Sequence, residues 1–330
     1  MTDTPSSNPP SVWVLADDRA GNRSQCFGVA DALRDATGFD YQVKNPTYGA
    51  LASLPNFLLG ASFAGVNADS RSQLSPPWPD LVIAAGRRTA PVARKIKRLA
   101  GQKCFLAQIM HPGGGMGDFG LIASPNHDGS FNFPNIISYT GAPHGLTAER
   151  LADEAKRWQG RFDDLAGPRI ALIVGGTTRR RTFTDAMAVE LGQQASTMAT
   201  AAGGSLLVAT SRRTGEAEAA LLNAISAPKR VYRWGEEGQE NPYLGYLACA
   251  DAIIVTGDSV SMCSEACAGT GPVYIYAPRA LITPKHARLH GELYEKGYAR
   301  PLNSTLETWN HAPLNPAGDI ATAIRERLGR

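Results

Sequence analysis

Charge of either sign is scarce and nearly balanced. With 33 Lys plus Arg against 30 Asp plus Glu, the net charge of +3 is too small to make nucleic acid the main partner. Cysteine is scarce too. Cys26, Cys104, Cys249, Cys263 and Cys267 are odd in number and lack a C-x-x-C spacing, which argues against a zinc ribbon and for free thiols in a reducing, cytoplasmic compartment. No apolar run approaches the ~18 residues of a membrane span. Residues 1–10 are polar and proline-containing, without the basic and apolar segments of a signal peptide, and read as a disordered tail. What remains is an ordinary globular composition, 43% hydrophobic and 19% charged. A chain of 330 residues exceeds what one core usually supports, so two domains are expected.

The least ordinary run is Ile253 to Pro272. The apolar segment Ile253-Ile254-Val255 stops at Gly257, small polar residues follow, and a helix-compatible run carries Glu265. In a strand–turn–helix of this kind the first helical N–H groups lack intrahelical partners and favour an anion such as a diphosphate. Gly257, Ser259, Val260 and Ser261 form that turn, and Glu265, one turn on, can accept from the vicinal hydroxyls of a ribose. The plain alternative is a βα turn with Ser as N-cap and Glu as a solvated acid.

The rest of the chain alternates strands and helices. Strand Val12 to Leu15 ends in a turn bearing Asp17, Gly21, Asn22 and Gln25, polar groups aimed at the acceptor-side crevice of a parallel sheet. Strands at 81–84, 104–110, 121–124 and 136–140 follow, and His111, His127 and His144 sit just past three of them. In a parallel sheet those ends share the ligand-binding edge. The segment from Leu51 to Phe63 is apolar and broken by proline and glycine; it either covers the core or forms a patch for a membrane or lipid acceptor. A helix over 146–158 closes an N-terminal domain of 11–158, and 159–168 reads as a linker. A second series of strands then builds a domain of 169–305, with 306–330 packing back on the first. Its strand ends carry Gly175-Gly176-Thr177 and Thr210-Ser211-Arg212-Arg213.

Several motifs fail on context. Gly115-Met116-Gly117-Asp118-Phe119-Gly120 matches G-x-G-x-x-G but precedes a strand instead of opening a helix, so a nicotinamide cofactor is not expected. The i,i+4 pairs Cys263/Cys267 and His286/His290 have no third ligand nearby in sequence, so no metal site is assigned.

This pattern resembles the GT-B architecture: two Rossmann-like α/β domains with parallel sheets facing an interdomain cleft. The C-terminal half resembles the donor domains of enzymes such as the N-acetylglucosaminyltransferase of peptidoglycan synthesis. That resemblance implies that Gly175-Gly176-Thr177 approaches the donor phosphates, that 210–213 lies near the base, that Ser259 to Ser261 lies at the diphosphate, and that Glu265 holds the ribose. A closer match spans nearly the whole chain. The runs ADDRAGNRSQCFGVADAL, PDLVIAAGRRTAPVARKIKR, QIMHPG, NPYLGYLACADAIIVTGDSVSMCSEA, GPVYIYAP and KHARLHGELYEKGYARPL resemble the family of the plant elongated-mitochondria fission factor and its bacterial relatives. Plant members are implicated in placing a dynamin-type GTPase at the mitochondrial surface, a role the compact start of this chain does not carry over. The first turn, Ala20 to Gln25, lacks the glycine-rich, histidine-bearing loop of the peptidoglycan enzyme. His127, with Asp128 beside it, is therefore chosen as the base, followed by His111 and Asp17. The expected function is glycosyl transfer from a nucleotide-diphospho-sugar, UDP-type favoured, without a required cofactor or metal. The alternatives are epimerisation or hydrolysis of a nucleotide sugar in the same cleft, or a non-catalytic adaptor at a membrane surface.

Overall fold

The computed structural model describes residues 9–129 and 131–329, so most of the tail expected over 1–10 lies outside the described residues. The chain divides into two compact units: one runs to Gly145 and resumes at Pro316, the other spans Leu146–Asn315.

The first unit contains β1 (Val12–Leu15), α1 (Ala20–Thr37), β2 (Tyr41–Lys44), the short α2 (Asn56–Leu59) and α3 (Ala68–Arg71), β3 (Leu81–Ala85), α4 (Ala90–Leu99), β4 (Phe105–Ile109), β5 (Leu121–Pro125) and β6 (Ile136–Tyr139). Its six strands are all parallel, in the order β2-β1-β3-β4-β5-β6. Alternate residues of each strand feed two cores. Val12, Val14, Leu81 and Ile83 pack with Val29 and Leu33 of α1, whereas Trp13, Leu15, Val82 and Ala84 pack with Val92 and Ile96 of α4. Burial on both faces is why these strands read as unbroken apolar runs.

The second unit contains α5 (Ala148–Arg157), β7 (Arg169–Ile173), α6 (Asp185–Ala201), β8 (Ser205–Ala209), α7 (Ala217–Ala224), β9 (Lys229–Tyr232), α8 (Tyr243–Cys249), β10 (Ala252–Thr256), α9 (Val260–Ala266), β11 (Val273–Tyr276), α10 (Pro284–Glu295) and β12 (Arg300–Pro301). Its sheet is also parallel, in the order β12-β11-β10-β7-β8-β9. The winding reverses between β7 and β10, the position at which open α/β sheets leave a crevice beyond the strand ends. The last helix, α11 (Ala317–Arg327), belongs to the first unit, where Ile320, Ala321 and Ile324 join the core around α1.

Three boundaries differ from the sequence reading. Residues 306–315 stay with the second unit, where Leu306, Trp309 and Leu314 pack, and the return to the first unit begins at Pro316. Helix α5 lies in the second unit and packs on α8, instead of closing the first domain. The stretch 159–168 is not a bare linker: Phe162 is buried, stacked on Trp158 and edge-on to Tyr246. The last two follow from long-range aromatic contacts that local composition does not encode.

Candidate functional site

In the second unit the residues at the winding reversal form one hydrogen-bonded group. Asp258, just past β10, is buried, and its Oδ2 accepts from the Gly176 N–H at 3.1 Å and from the Arg213 guanidinium. Among the described residues, the other oxygen, Oδ1, meets no hydrogen-bond donor. Thr256 Oγ1 takes the Gly175 N–H at 2.7 Å, and the hydroxyls of Ser211 and Thr214 donate to the Gly175 carbonyl at 2.8 and 2.9 Å. The two glycines are demanded by this packing. A Cβ at 175 would stand 2.5 Å from Asp258 Oδ2, and at 176, where φ is +131°, it would stand 2.2 Å from the Arg213 carbonyl oxygen.

The glycine pair therefore differs in use from a phosphate cradle. The N–H groups of Gly175 and Gly176 are taken by Thr256 and Asp258, and that of Thr177 donates to the Arg213 carbonyl at 2.8 Å. In this state none of the three is open to an anion. The cation at the same place is Arg213, half-buried and paired with Asp258, whereas its neighbour Arg212 is exposed. His286, at the start of α10, lies within electrostatic reach of this group and of Lys285 beside it in the chain. Burial lowers the His286 pKa, Lys285 and Arg213 add to the lowering, and the Asp258 carboxylate opposes it. His286 Nδ1 accepts the Thr283 N–H while Thr283 caps the helix, a reciprocal box that fixes the imidazole.

Ser259 caps α9 by accepting from the Met262 N–H at 3.4 Å, and Val260 and Ser261 open the helix. Glu265 lies on the same helix, where one carboxylate oxygen accepts from the Tyr243 hydroxyl at 2.6 Å. Burial raises its pKa above the usual carboxylate range, against lowering by Tyr243 and by the Arg150 charge. Thr210 is committed elsewhere, donating to Glu218 Oε2 at 2.6 Å and accepting from the Trp234 N–H at 3.1 Å; the indole of Trp234 is exposed. Behind the turn, buried His290 of α10 explains Gly257, since a Cβ there would lie 2.5 Å from the imidazole Cε1. His290 also lines a cavity of about 440 Å³ with Tyr276, Tyr294 and Glu190.

The first unit has its own polar group where its sheet reverses, between β1 and β3. Asp17 is buried and accepts from Asn22 Nδ2 at 2.6 Å and from Arg88, which also pairs with Asp18. Burial raises the Asp17 pKa, as does its hydrogen bond with Asp18, and together they outweigh the pull of Asn22 and Arg88. A Cβ on Gly86, where φ is +81°, would fall 2.4 Å from Asn22 Nδ2. Gly21 and Gln25 follow on α1, Gln25 buried. Of the three histidines past strand ends, His127 and His144 are buried. His111 is half-exposed, its Nδ1 accepting from the Gly113 N–H at 3.1 Å and its ring stacked 4.5 Å from Phe131.

The structure thus brings Gly175, Gly176, Thr177, Ser211 and Gly257 together and ties Thr210 to α7 instead. Sequence reasoning gave Asp258 no role of its own, weighed His286 only as half of an i,i+4 pair, and placed Arg213 in the segment near the base. Only the position of Arg213 and Asp258 at strand ends offered a signal. Among the described residues, no group of three or more His, Cys, Asp or Glu is placed to hold a metal ion.

A profile described as "Mitochondrial fission ELM1" matches residues 20–328. The chain belongs to this family. It is 28% identical to the Arabidopsis thaliana mitochondrial fission protein ELM1, over 82% of this chain and 69% of that protein. It is 29% identical to an uncharacterized protein of Rickettsia prowazekii (strain Madrid E), over 96% of this chain and 98% of that one. Among solved structures, it is similar to the UDP-GlcNAc 2-epimerase of Neisseria meningitidis bound to UDP-GlcNAc, with a TM-score of 0.53 at 14% identity, over 96% and 99% of the two chains. It is likewise similar to the glycotransferase of kitacinnamycin, with a TM-score of 0.52 at 14% identity, over 98% and 94%. This ELM1-family chain therefore has the GT-B fold of two parallel α/β sheets.

Proposed function

We propose that the second unit binds a nucleoside diphosphate, carried as a UDP-type sugar donor, at the ends of β7, β8 and β10. The observation that carries this reading is the Asp258–Arg213 pair at the winding reversal. There a guanidinium is held by one carboxylate oxygen, within electrostatic reach of His286. A diphosphate arriving there replaces Asp258 as the partner of Arg213, and a guanidinium with a phosphate makes the strong bidentate contact. Trp234, exposed beyond β9, offers a face on which a base stacks. Glu265 retains one oxygen for the ribose hydroxyls, the other being bound to Tyr243. Fold relatives whose described substrates include UDP-GlcNAc support the same ligand class.

The reaction in this reading is glycosyl transfer, with Arg213 meeting the charge of the departing diphosphate and no metal required. Of the candidate bases Asp17, His111 and His127, His111 is the one that is not buried. Epimerisation or hydrolysis of the nucleotide sugar uses the same ligand contacts. Thermal shift with UDP-, GDP- and CDP-sugars tests the binding: stabilisation by a nucleotide, lost in Arg213→Ala, is expected. No stabilisation by any of them would overturn the reading. Incubating one binding donor without acceptor then separates the reactions, since an epimer or free sugar replaces transfer as the conclusion.

A further inference from the structure

The longest uncharged stretch of the chain contains its two most exposed large apolar side chains, Phe57 and Leu58. Residues 45–68 carry no charged group. Within them Leu51, Leu54, Phe57 and Leu58 all stand in solvent, Phe57 at 77% and Leu58 at 63% exposure. The neighbouring Phe63, by contrast, packs on the core beside Val66. Four large apolar groups within eight residues exceed the scattered exposure that any surface shows.

The segment is braced rather than loose. Arg87 donates to the carbonyls of Leu54, Ala52 and Ser53, the Ala52 bond measuring 2.8 Å. Buried Asn56 donates to the carbonyls of Arg87 and Pro112 at 2.7 and 2.5 Å. Arg94 of α4 donates to the Gly60 carbonyl at 3.1 Å. Three polar side chains thus fix the backbone of α2 and its flanks, so that Phe57 and Leu58 face outward in an ordered element. A residue set that merely failed to find a core would not need such support.

The charge on the helix beside the patch has one sign, although Arg94 on it is paired with Asp118. Between residues 81 and 117 there are seven basic residues and no acidic one. Helix α4, which packs on α2, carries Arg94, Lys95, Lys97 and Arg98. Arg98 is exposed and lies one turn beyond Arg94, on the helix face that reaches Gly60. Apolar groups that enter an acyl boundary, flanked by cations that meet its head groups, are the two signals that peripheral membrane binding requires.

We infer that Leu51, Leu54, Phe57 and Leu58, with Arg98 of α4 beside them, dock the first unit on an anionic lipid bilayer. The inference stands whether or not the second unit takes a nucleotide. Flotation of the full-length protein with phosphatidylcholine vesicles, with and without phosphatidylglycerol, tests it. Binding to the anionic vesicles alone is expected, weakening as salt is raised. The Phe57→Asp, Leu58→Asp double variant should lose binding, as should the milder Phe57→Ser, Leu58→Ser pair. Arg98→Glu should weaken it by roughly fivefold or more. These side chains are exposed, so each variant keeps the parent melting temperature. Failure of the parent to float, equal flotation with both vesicles, or undiminished flotation of the apolar variants overturns the inference. So does a parent dimer in sedimentation velocity that Phe57→Asp, Leu58→Asp makes monomeric, which assigns the patch to a second copy of the chain.

Discussion

The Arg213 guanidinium spans the end of β7 to reach the Asp258 carboxylate, and the carboxylate oxygen it meets also takes the Gly176 N–H. One buried acid thus sets both the glycine loop and the cation beside it. In Asp258→Asn the amide oxygen still accepts from Gly176, but the charge that holds Arg213 is gone. The cost should be roughly 1–2 kcal/mol in urea unfolding. Nucleotide binding should be kept or strengthened, because Arg213 no longer has to leave a carboxylate. Arg213→Ala should weaken nucleotide binding by about tenfold or more. Calorimetric titration of both variants with the nucleotide found by thermal shift separates the roles; a loss of binding in Asp258→Asn as large as in Arg213→Ala contradicts them.

Gly176→Ala should cost roughly 2 kcal/mol or more, since it combines a φ of +131° with a Cβ 2.2 Å from a backbone oxygen that has no freedom to move. Gly291, exposed within α10 with open space where a Cβ would be added, is the control. There Gly291→Ala should stabilise by about 0.5–1 kcal/mol, the ordinary helix gain. Opposite signs in paired thermal melts are expected.

These two positions also mark how far the sequence reaches. The strands were legible because both faces are buried, which leaves runs such as Leu81 to Ala84 and Ile253 to Val255 without polar interruption. Gly175-Gly176 and Gly257 stood out as small residues at strand ends, and all three are indeed positions without room for a Cβ. The partners that exclude the Cβ were not legible. Arg213 turns inward to Asp258, which lies beyond another strand, and the His290 imidazole that fills the space at Gly257 comes from a separate helix. Edge strands β2 and β12 escaped notice for the opposite reason: they are partly exposed and short, so neither carries an apolar run.

Glu265 gives a pH-dependent test. Burial raises its pKa in the folded chain, so between the unfolded and folded values the native state binds the extra proton and stability falls as pH rises through that window. Glu265→Gln keeps an acceptor for the Tyr243 hydroxyl without the buried charge. The variant should be as stable as the parent or more so at neutral pH, with the difference vanishing below the ordinary glutamate range. If Glu265 also accepts from a ribose, the same variant should bind nucleotide roughly tenfold less well, which stability alone does not produce.

In the first unit Arg88 lies between buried Asp17 and exposed Asp18, its guanidinium 4.7 Å from the Tyr48 ring centroid. Arg88→Gln keeps a donor but leaves Asp17 as a buried carboxylate without its cation, at a cost of about 3 kcal/mol near neutral pH. Protonation relieves that cost. The Asp17 pKa is already raised by burial, and loss of the Arg88 charge raises it further, so the folded variant takes up a proton at higher pH than its unfolded chain does. The gap between parent and variant should therefore narrow as pH falls through the folded-state pKa of Asp17. Unfolding curves of both proteins across mildly acidic pH measure it, and a gap that stays constant would show that Arg88 acts through its packing on Tyr48 rather than through its charge.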